Sequence, residues 1–303
     1  MSNAGFKDAR GSKVIPATRQ PTVTGPLLAW NWTGHGALTG LSLGDSRSSI
    51  RSLLGPPGEL ASMVQWVDIH IANIPGWPLS GGQIRHFMRD QAQSEADAYR
   101  LSVNWILRYS CAAARILANV YKSLLHTCNR RQDFNWNRYQ SCIGSDDATQ
   151  LTMARRNLAM ALHALQDSFS PGHVKRDSTG AIQAIHTWDE ENKHPMECWD
   201  SGVQEQIPGT GLSSAEWIAS HREGPYPSRA AHCRSLPGHE EHDKSWQMPN
   251  GELSALGKAV VQACRDLIDF VLEAALASHP ETRCRSLITK RLVPTHLRAP
   301  WPY

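Results

Sequence analysis

A long stretch of helical periodicity, rich in alanine, leucine and arginine, runs from Gln91 to about Cys128. Apolar residues that recur three and four positions apart predict a helix with one buried face. A second such pattern covers residues 148–170 and stops before a Pro-Gly pair, and Asp146 or Asp147 can cap its start. Helical periodicity therefore dominates the middle of the chain.

Shorter helical patterns flank these two. The segment 49–68 predicts a short helix, a Gly-Pro-Pro-Gly turn and a longer helix, and a final helix is predicted over about 253–278. No strand series and no internal repeat is visible. The sequence therefore predicts an all-α fold with one multi-helix domain over residues 29–280, a long irregular insertion at 193–251, a leader or flexible tail at 1–28 and a C-terminal tail at 281–303.

The composition is that of a soluble globular protein, with 303 residues, 41% hydrophobic and 19% charged. A net charge of +3 does not by itself indicate a nucleic-acid partner. The best apolar run, which begins at Leu267, contains Asp269 and Glu273 and predicts an amphipathic core helix, not a membrane span. The first residues contain no apolar signal core, so we expect either a removed signal peptide or secretion by a route that needs none.

Seven cysteines are present, and none forms the C-x-x-C pattern of a zinc ribbon. Cys128 can pair with Cys142, and Cys198 with Cys233, across loop-rich regions. Free buried thiols are the alternative.

The segment HALQDSFSPGH contains His163 and Asp167 at helical spacing, and His173 just past a helix stop. His186 and Glu190 repeat the same four-residue offset further along the chain. One such pair alone is typical of a surface pair or a capped core histidine. Several imidazoles and carboxylates together are ligands that suit zinc.

Three more residues extend this set: His35, Asp68 and His86 each lie in a sharply defined local pattern. A cluster of this size is large enough to hold more than one ion. The sequence therefore predicts a metal centre made of histidines and carboxylates, which leaves positions open to water, unlike the closed cysteine-rich sites of structural zinc.

The order of these pieces resembles the zinc-dependent phospholipase C and single-strand nuclease superfamily, an all-α fold with a three-zinc site. Its H-x3-D-x5-H hallmark is matched by the three residues of the HALQDSFSPGH segment, and its H-x3-E element by His186 and Glu190. Its W-[AV]-D segment is matched by 66–68, and the H-[FY] pair that follows by 86–87. Trp30, five residues before His35, is similar to the tryptophan that begins the family's mature chains.

The resemblance implies how these residues would share two or three zinc ions. Asp68, His86, His163 and Asp167 would surround the first ion, His173, His186 and Glu190 the second, and His35, the Trp30 backbone and a bridging Asp167 the third. One departure stands out, because Trp30 is preceded by other residues and has no free amine. Either the leader is removed in the active form, or the third ion uses only the carbonyl, or it is weak or absent.

The reaction implied is zinc-dependent hydrolysis of a phosphodiester, in which metal-activated hydroxide attacks phosphorus. Asp68 is the candidate catalytic residue, as a ligand that also orients or deprotonates the water. Glu190 is more like the phospholipases, whereas the spacing of five between Trp30 and His35 is more like the nucleases. The apolar segment 69–77 favours a phospholipid, and the nearest basic and aromatic run, 129–140, is typical of a solvated loop.

We therefore expect a phospholipase C that acts on phospholipid headgroups at a membrane surface. A single-strand nuclease or 3'-nucleotidase is the alternative, and a non-catalytic helical protein with structural zinc is the second alternative. A lipid-cleaving enzyme is expected to be secreted or delivered outside the producing cell, as an effector or toxin. The insertion at 193–251 is a candidate lid, specificity element or surface for an inhibitor or carrier protein.

Overall fold

The protein is described here by a computed structural model. It describes residues 32–44, 48–71, 83–89, 93–127, 142–171, 173–185, 246, 248 and 251–303. Helices account for most of these residues, which confirms the all-α prediction.

The described part of the chain contains five long helices, a short hairpin and a helical C-terminal segment. In chain order they are α1 (Trp32–Gly44), α2 (Pro57–Ile71), α3 (Glu95–Thr127), α4 (Ser145–Asp167), β1 (Val174–Arg176), β2 (Ile182–Ile185), α5 (Ala255–Ala275), α6 (Pro280–Leu287) and α7 (Val293–His296). Two single 3-10 turns, Arg51–Leu54 and Gln83–His86, precede α2 and α3, and a π-turn, Ile288–Leu292, joins α6 to α7.

The longest helix, α3, lies at the centre of the core and packs against α4, α5 and α6. Its buried residues include Val103, Ile106, Leu107, Ala114 and Leu117, which recur at helical spacing. On one side of this bundle α1 packs against α2 and α5, and α2 packs against α4. The helices therefore bury their apolar faces against one another.

The start of α4 differs from its prediction. Gly144 occupies the N-cap and provides no side-chain hydrogen bond, so the expected cap by Asp146 or Asp147 is wrong. Both aspartates lie in the first turn instead, where their charges favour the positive end of the helix dipole. In contrast, the Ser254 hydroxyl accepts a hydrogen bond from the Gly257 backbone N–H at 3.0 Å and caps α5.

The sequence analysis predicted no strands, but a two-stranded antiparallel hairpin follows α4 directly. The Arg176 side chain in β1 donates hydrogen bonds to the backbone oxygens of Ser168, Gly180 and His296 at 3.0, 2.6 and 3.0 Å. This single guanidinium therefore joins the end of α4, the hairpin turn and the C-terminal segment.

Residues 281–303, expected as a C-terminal tail, form a helical segment that packs on α3 and α5. Pro280 lies in the first turn of α6, where its missing N–H is not needed. Before Pro294 the chain widens into the π-turn, since a proline cannot complete the regular hydrogen-bond ladder. The packed domain therefore extends beyond residue 280.

Three of the described cysteines, Cys111, Cys264 and Cys284, are free and buried. Cys142 is disulfide-bonded, and because the other described cysteines are free, its partner lies outside the described residues. Within the described helices, none combines the length and apolar character that a membrane span requires.

Candidate metal centre

The last turn of α4 provides two of the candidate ligands. His163 and Asp167 lie one helical turn apart, and both are buried, with 0% and 2% of their surface exposed. The His163 Nε2 atom is 3.1 Å from Asp167 Oδ2. A helix holds side chains at positions i and i+4 on one face, so the predicted spacing brings these two groups together.

His86 approaches the same carboxylate from the end of a 3-10 turn. Its Nδ1 atom is 2.9 Å from Asp167 Oδ2 and 3.1 Å from His163 Nε2. Phe87, the next residue, has a φ of 51°, which bulky side chains rarely adopt. Its ring is fully buried and meets Tyr99 edge to face at 6.4 Å, and this packing holds the sharp turn that follows His86.

His173 reaches the site from the turn after α4. The helix ends at Asp167, and the backbone N–H groups of His173 and Val174 both donate to the Ser170 carbonyl oxygen. The His173 Nδ1 atom donates to the backbone oxygen of His86 at 2.8 Å and lies 3.8 Å from Asp167 Oδ2. Because α4 ends there, as the sequence predicted, the chain turns back and His173 lies close to Asp167.

His35, in α1, contacts the other oxygen of the carboxylate. Its Nε2 atom is 3.3 Å from Asp167 Oδ1, and its ring lies 4.3 Å from the His163 ring between centroids. On the far side of the ring, Nδ1 is 2.6 Å from Gln166 Oε1. Four imidazoles from α1, α4 and two turns thus surround one buried carboxylate.

The electrostatics of Asp167 reflect these neighbours. Burial alone would raise the pKa of this carboxyl group, but the charges of His163, His173 and His35 outweigh burial and hold the pKa of Asp167 well below its usual range. Asp167 is therefore a carboxylate in the folded protein. A buried carboxylate ringed by imidazoles is a donor set that zinc prefers.

The distances also suit a metal ion. Ligand atoms about 2.0–2.1 Å from a tetrahedral zinc are about 3.3 Å from one another. His86 Nδ1, His163 Nε2 and Asp167 Oδ2 are separated by 2.9–3.1 Å. One ligand atom each from His35, His163 and Asp167 also lies within 4.8 Å of the others. The described residues can therefore close around a cation with small movements.

The structure brings together five of the nine sequence-predicted ligands. The other four are Trp30, Asp68, His186 and Glu190. Trp30, His186 and Glu190 lie outside the described residues. Asp68 lies in the last turns of α2, directly after the buried Val67, and only its backbone is described. The resemblance assigned His35, His163 and His173 to three different ions, whereas in the structure all three lie within 3.8 Å of Asp167.

Sequence reasoning missed two polar residues behind the ligands. Gln166 and Thr39 are fully buried, and the Gln166 Nε2 atom donates to the Thr39 hydroxyl at 2.9 Å. One signal was available for Gln166: a polar side chain directly before a predicted ligand, in a helix segment that is otherwise largely apolar. Nothing in the sequence relates Thr39 to this site.

Comparison of the chain with protein-family models, curated proteins and solved structures gives no match. What the fold and the site define is an all-α protein with a buried histidine and aspartate centre.

Proposed function

We propose that this protein is a zinc-dependent phosphodiester hydrolase, and that its substrate is the headgroup ester of a phospholipid, as in phospholipase C. The observation that carries the proposal is the convergence of four histidines on the buried Asp167 carboxylate. The order of motifs along the chain, which resembles that superfamily, supports the same conclusion.

The donor set fits zinc better than it fits a purely structural hydrogen-bond network. His86 Nδ1 and His163 Nε2 lie 3.1 Å apart, and both approach the same carboxylate oxygen. Each neutral imidazole carries only one proton, and protonation of all four rings would place several positive charges around one negative charge. A bound cation satisfies the nitrogens and the carboxylate together. His35, His86, His163 and Asp167 would hold it, with His173 beside them.

A zinc ion bound there supplies a Lewis acid that lowers the pKa of water to about 7 and offsets charge on phosphoryl oxygens. The protein's own contribution is positional. Asp167 offers its two oxygens to different histidines, so it can bridge two ions. Asp68 remains the proposed base that orients or deprotonates the attacking water.

An apolar groove between α2 and α4 supports a lipid substrate. It has a volume of about 340 Å³. Met63, Val67 and Met160 contribute its apolar walls, and Glu59, Ser62 and Arg156 line the rest. Met160 lies one turn before His163 on α4, and Val67 directly precedes Asp68 on α2. A groove on these two helices can receive an acyl chain while the headgroup ester faces the ligands.

A different feature favours the nuclease alternative. Trp105 and Tyr109, on α3, have ring centroids 4.4 Å apart. The Arg85 guanidinium lies 5.1 Å from the Trp105 ring, and Arg108 lies 5.7 Å from the Tyr109 ring. Single-stranded bases stack on aromatic rings that are paired with cations, and both of these rings are partly exposed at the edge of the core.

One experiment separates these functions. Zinc-loaded protein is assayed for phosphocholine release from phosphatidylcholine micelles and for digestion of single-stranded DNA, each with and without a chelator. We expect lipid cleavage that the chelator abolishes and added zinc restores. Cleavage of DNA alone would establish the nuclease instead. Bound zinc with neither activity would establish the structural-zinc alternative.

We also propose that the protein acts outside the producing cell, at a phospholipid membrane surface. The disulfide at Cys142 supports this, because disulfides persist mainly in oxidising compartments.

A further inference from the structure

We infer that Gln166 is a positioning residue that fixes the protonation tautomer of His35, and that Thr39 fixes the orientation of Gln166. The inference rests on the proposed metal centre. If Gln166 fixes the tautomer, His35 always presents its Nε2 atom to the proposed ion. It concerns two side chains outside the ligand set.

The first step is the direction of the hydrogen bonds at Thr39. Its hydroxyl donates to the His35 carbonyl oxygen at 2.8 Å, one turn back along α1. A hydroxyl has a single proton, so its second contact, with Gln166 Nε2 at 2.9 Å, must be as an acceptor. The amide nitrogen of Gln166 therefore faces Thr39.

The second step follows from the geometry of an amide. With its nitrogen towards Thr39, Gln166 directs Oε1 towards His35 Nδ1, at 2.6 Å. A carbonyl oxygen can only accept, so Nδ1 carries the proton. The neutral His35 ring then has its lone pair on Nε2, which lies 3.3 Å from Asp167 Oδ1.

The consequence concerns the space between His35 and Asp167. Two acceptors that face each other at this distance repel, unless a cation or a second imidazole proton lies between them. We call the hydrogen-bonded chain of Thr39, Gln166 and His35 the relay. It keeps the Nε2 lone pair of His35 available to a metal before any ion binds. Ligand histidines commonly depend on such a partner for their other nitrogen.

Burial makes the relay persistent. Thr39 and Gln166 have no exposed surface, and His35 is 2% exposed. Water cannot replace a lost partner there, so breaking one bond strands a buried polar group. The relay also joins α1 to α4, since its hydrogen bonds connect residues more than 120 positions apart in the chain.

The test measures the tautomer and the affinity separately. Nitrogen-15 spectra of histidine-labelled, zinc-free protein report which ring nitrogen of His35 is protonated, with His35→Ala used to assign its signals. Zinc affinity is measured by competition with a chelator. We expect the Nδ1–H tautomer in the wild type at a pH where His35 is neutral; where the ring is protonated, Nδ1 keeps its proton and Nε2, which faces Asp167, carries the second one. In Gln166→Leu and in the near-isosteric Thr39→Val we expect a mixture of tautomers and a 10- to 100-fold loss of zinc affinity.

One conservative variant is the control. Thr39→Ser keeps the hydroxyl, so it should retain the tautomer and bind zinc within a few-fold of the wild type. A purely structural role would not distinguish Thr39→Val from Thr39→Ser in the nitrogen-15 spectrum. An unchanged tautomer and affinity in Thr39→Val and Gln166→Leu would overturn the inference. A wild type that binds no zinc would instead overturn the proposed function, while the zinc-free spectrum still tests the tautomer.

Discussion

Asp167 is the residue on which the whole site depends. Its side chain is 3% exposed, and it is approached by histidines from α1, α4, a 3-10 turn and the turn after α4. A carboxylate in that position would be costly without compensating charge. The imidazoles supply that charge in the protein alone, and a zinc ion would supply it more completely.

Cys264 contacts Gln166 next to this site, and its thiol leads to a prediction about how stability depends on pH. Burial raises the pKa of its thiol to about 12, although contacts with Gln166 and Ser42 act in the opposite direction. The unfolded thiol, with a pKa of 9.0, ionises first, so its stabilising contribution is complete below pH 9 and declines as the pH rises towards 12. We expect the free energy of unfolding to fall by roughly 1 kcal/mol more in the wild type than in Cys264→Ala between pH 9 and 10.

Urea unfolding of both proteins at the two pH values checks this difference. Because tyrosines and other thiols titrate in both proteins, only the gap between the two proteins is informative. Parallel pH dependences would show that Cys264 ionises equally in the folded and unfolded chain.

Among single residues, the sequence predicted which histidines and carboxylate come together better than it predicted the side chains that support them. His163, Asp167 and His173 could be predicted because helix geometry converts their spacing into proximity. Gln166 and Thr39 could not, because their contact joins two helices 127 positions apart in the chain. Such pairs become visible only when the packing of α1 on α4 is known.

Among the elements, the hairpin after α4 has the most direct role, because it anchors the turn that holds His173. Arg176 connects that hairpin to Ser168 and to His296, and its guanidinium lies 4.1 Å from the Phe169 ring. Burial lowers the pKa of Arg176 to about 10, which leaves it charged at neutral pH.

We expect Arg176→Met to reduce the free energy of unfolding by about 1–2 kcal/mol, since it removes the donor of two part-buried carbonyl oxygens, those of Ser168 and His296, and of the exposed one of Gly180. Zinc affinity should fall as well, because His173 loses its support. Urea unfolding of the zinc-free protein and chelator competition measure the two effects. Lys175→Met, which changes the exposed neighbour in the same strand, should alter neither; an equal loss in both variants would refute the anchoring role.

The groove between α2 and α4 gives a prediction about substrate. Met63 is half-buried in its wall. A charged side chain there should hinder an acyl chain but not a small soluble ester, because only the chain needs the apolar surface. Met63→Glu is therefore expected to lower cleavage of phosphatidylcholine micelles at least tenfold, which corresponds to a loss of roughly 1.4 kcal/mol. Cleavage of p-nitrophenyl phosphocholine should stay within about threefold of the wild type.

The matched control is Met153→Glu, which places the same charge on an exposed position of α4. It should leave both activities unchanged. If Met63→Glu lost the same fraction of wild-type activity on both substrates, the groove would have no specific role in lipid binding.

Four of the five long helices, α2 to α5, were predictable within a few residues at each end, since their apolar periodicity extends over many turns. The first, α1, was not predicted. The hairpin was not, because strands of three and four residues leave too little alternation to recognise. The C-terminal helical segment was obscured by Pro280 and Pro294, which look like helix breakers in the sequence. One occupies a first turn and the other follows a π-turn, so neither prevents the helix.

In the whole molecule, the C-terminal segment completes the core. Leu287, Ile288, Leu292, Val293 and Leu297 are all buried. The Tyr99 hydroxyl, on α3, also donates to the Leu297 carbonyl oxygen at 2.8 Å. At about 1.5–3 kcal/mol for each buried aliphatic side chain, this segment contributes on the order of 10 kcal/mol. That is comparable with the entire stability of a typical domain.

Removal of residues 281–303 should therefore leave a chain that does not fold cooperatively. Circular dichroism during heating measures this directly, and a chain that lacks only residues 302 and 303 is the control. A truncated protein that unfolds with the wild-type midpoint would show that the segment is a tail, as the sequence analysis predicted.

The all-α class could be predicted from the sequence because it follows from periodicity. How the helices meet could not, because periodicity does not say which faces pair. His35 illustrates the difference: its ring reaches Asp167 only because α1 packs beside the end of α4. The zinc role of the site is our proposal, drawn from the order of motifs in the sequence and from the convergence of the histidines on Asp167.

The most direct measurement is the zinc content of the purified protein after exposure to zinc and exhaustive dialysis, determined by plasma mass spectrometry. The wild type should retain at least one zinc per chain. Asp167→Asn, which preserves shape but removes the charge, should retain less than a tenth of that amount and lose hydrolysis. Asp146→Asn, on the exposed first turn of the same helix, should behave as the wild type. A folded wild-type protein without zinc, or an Asp167→Asn variant with full zinc, would contradict the proposed metal centre.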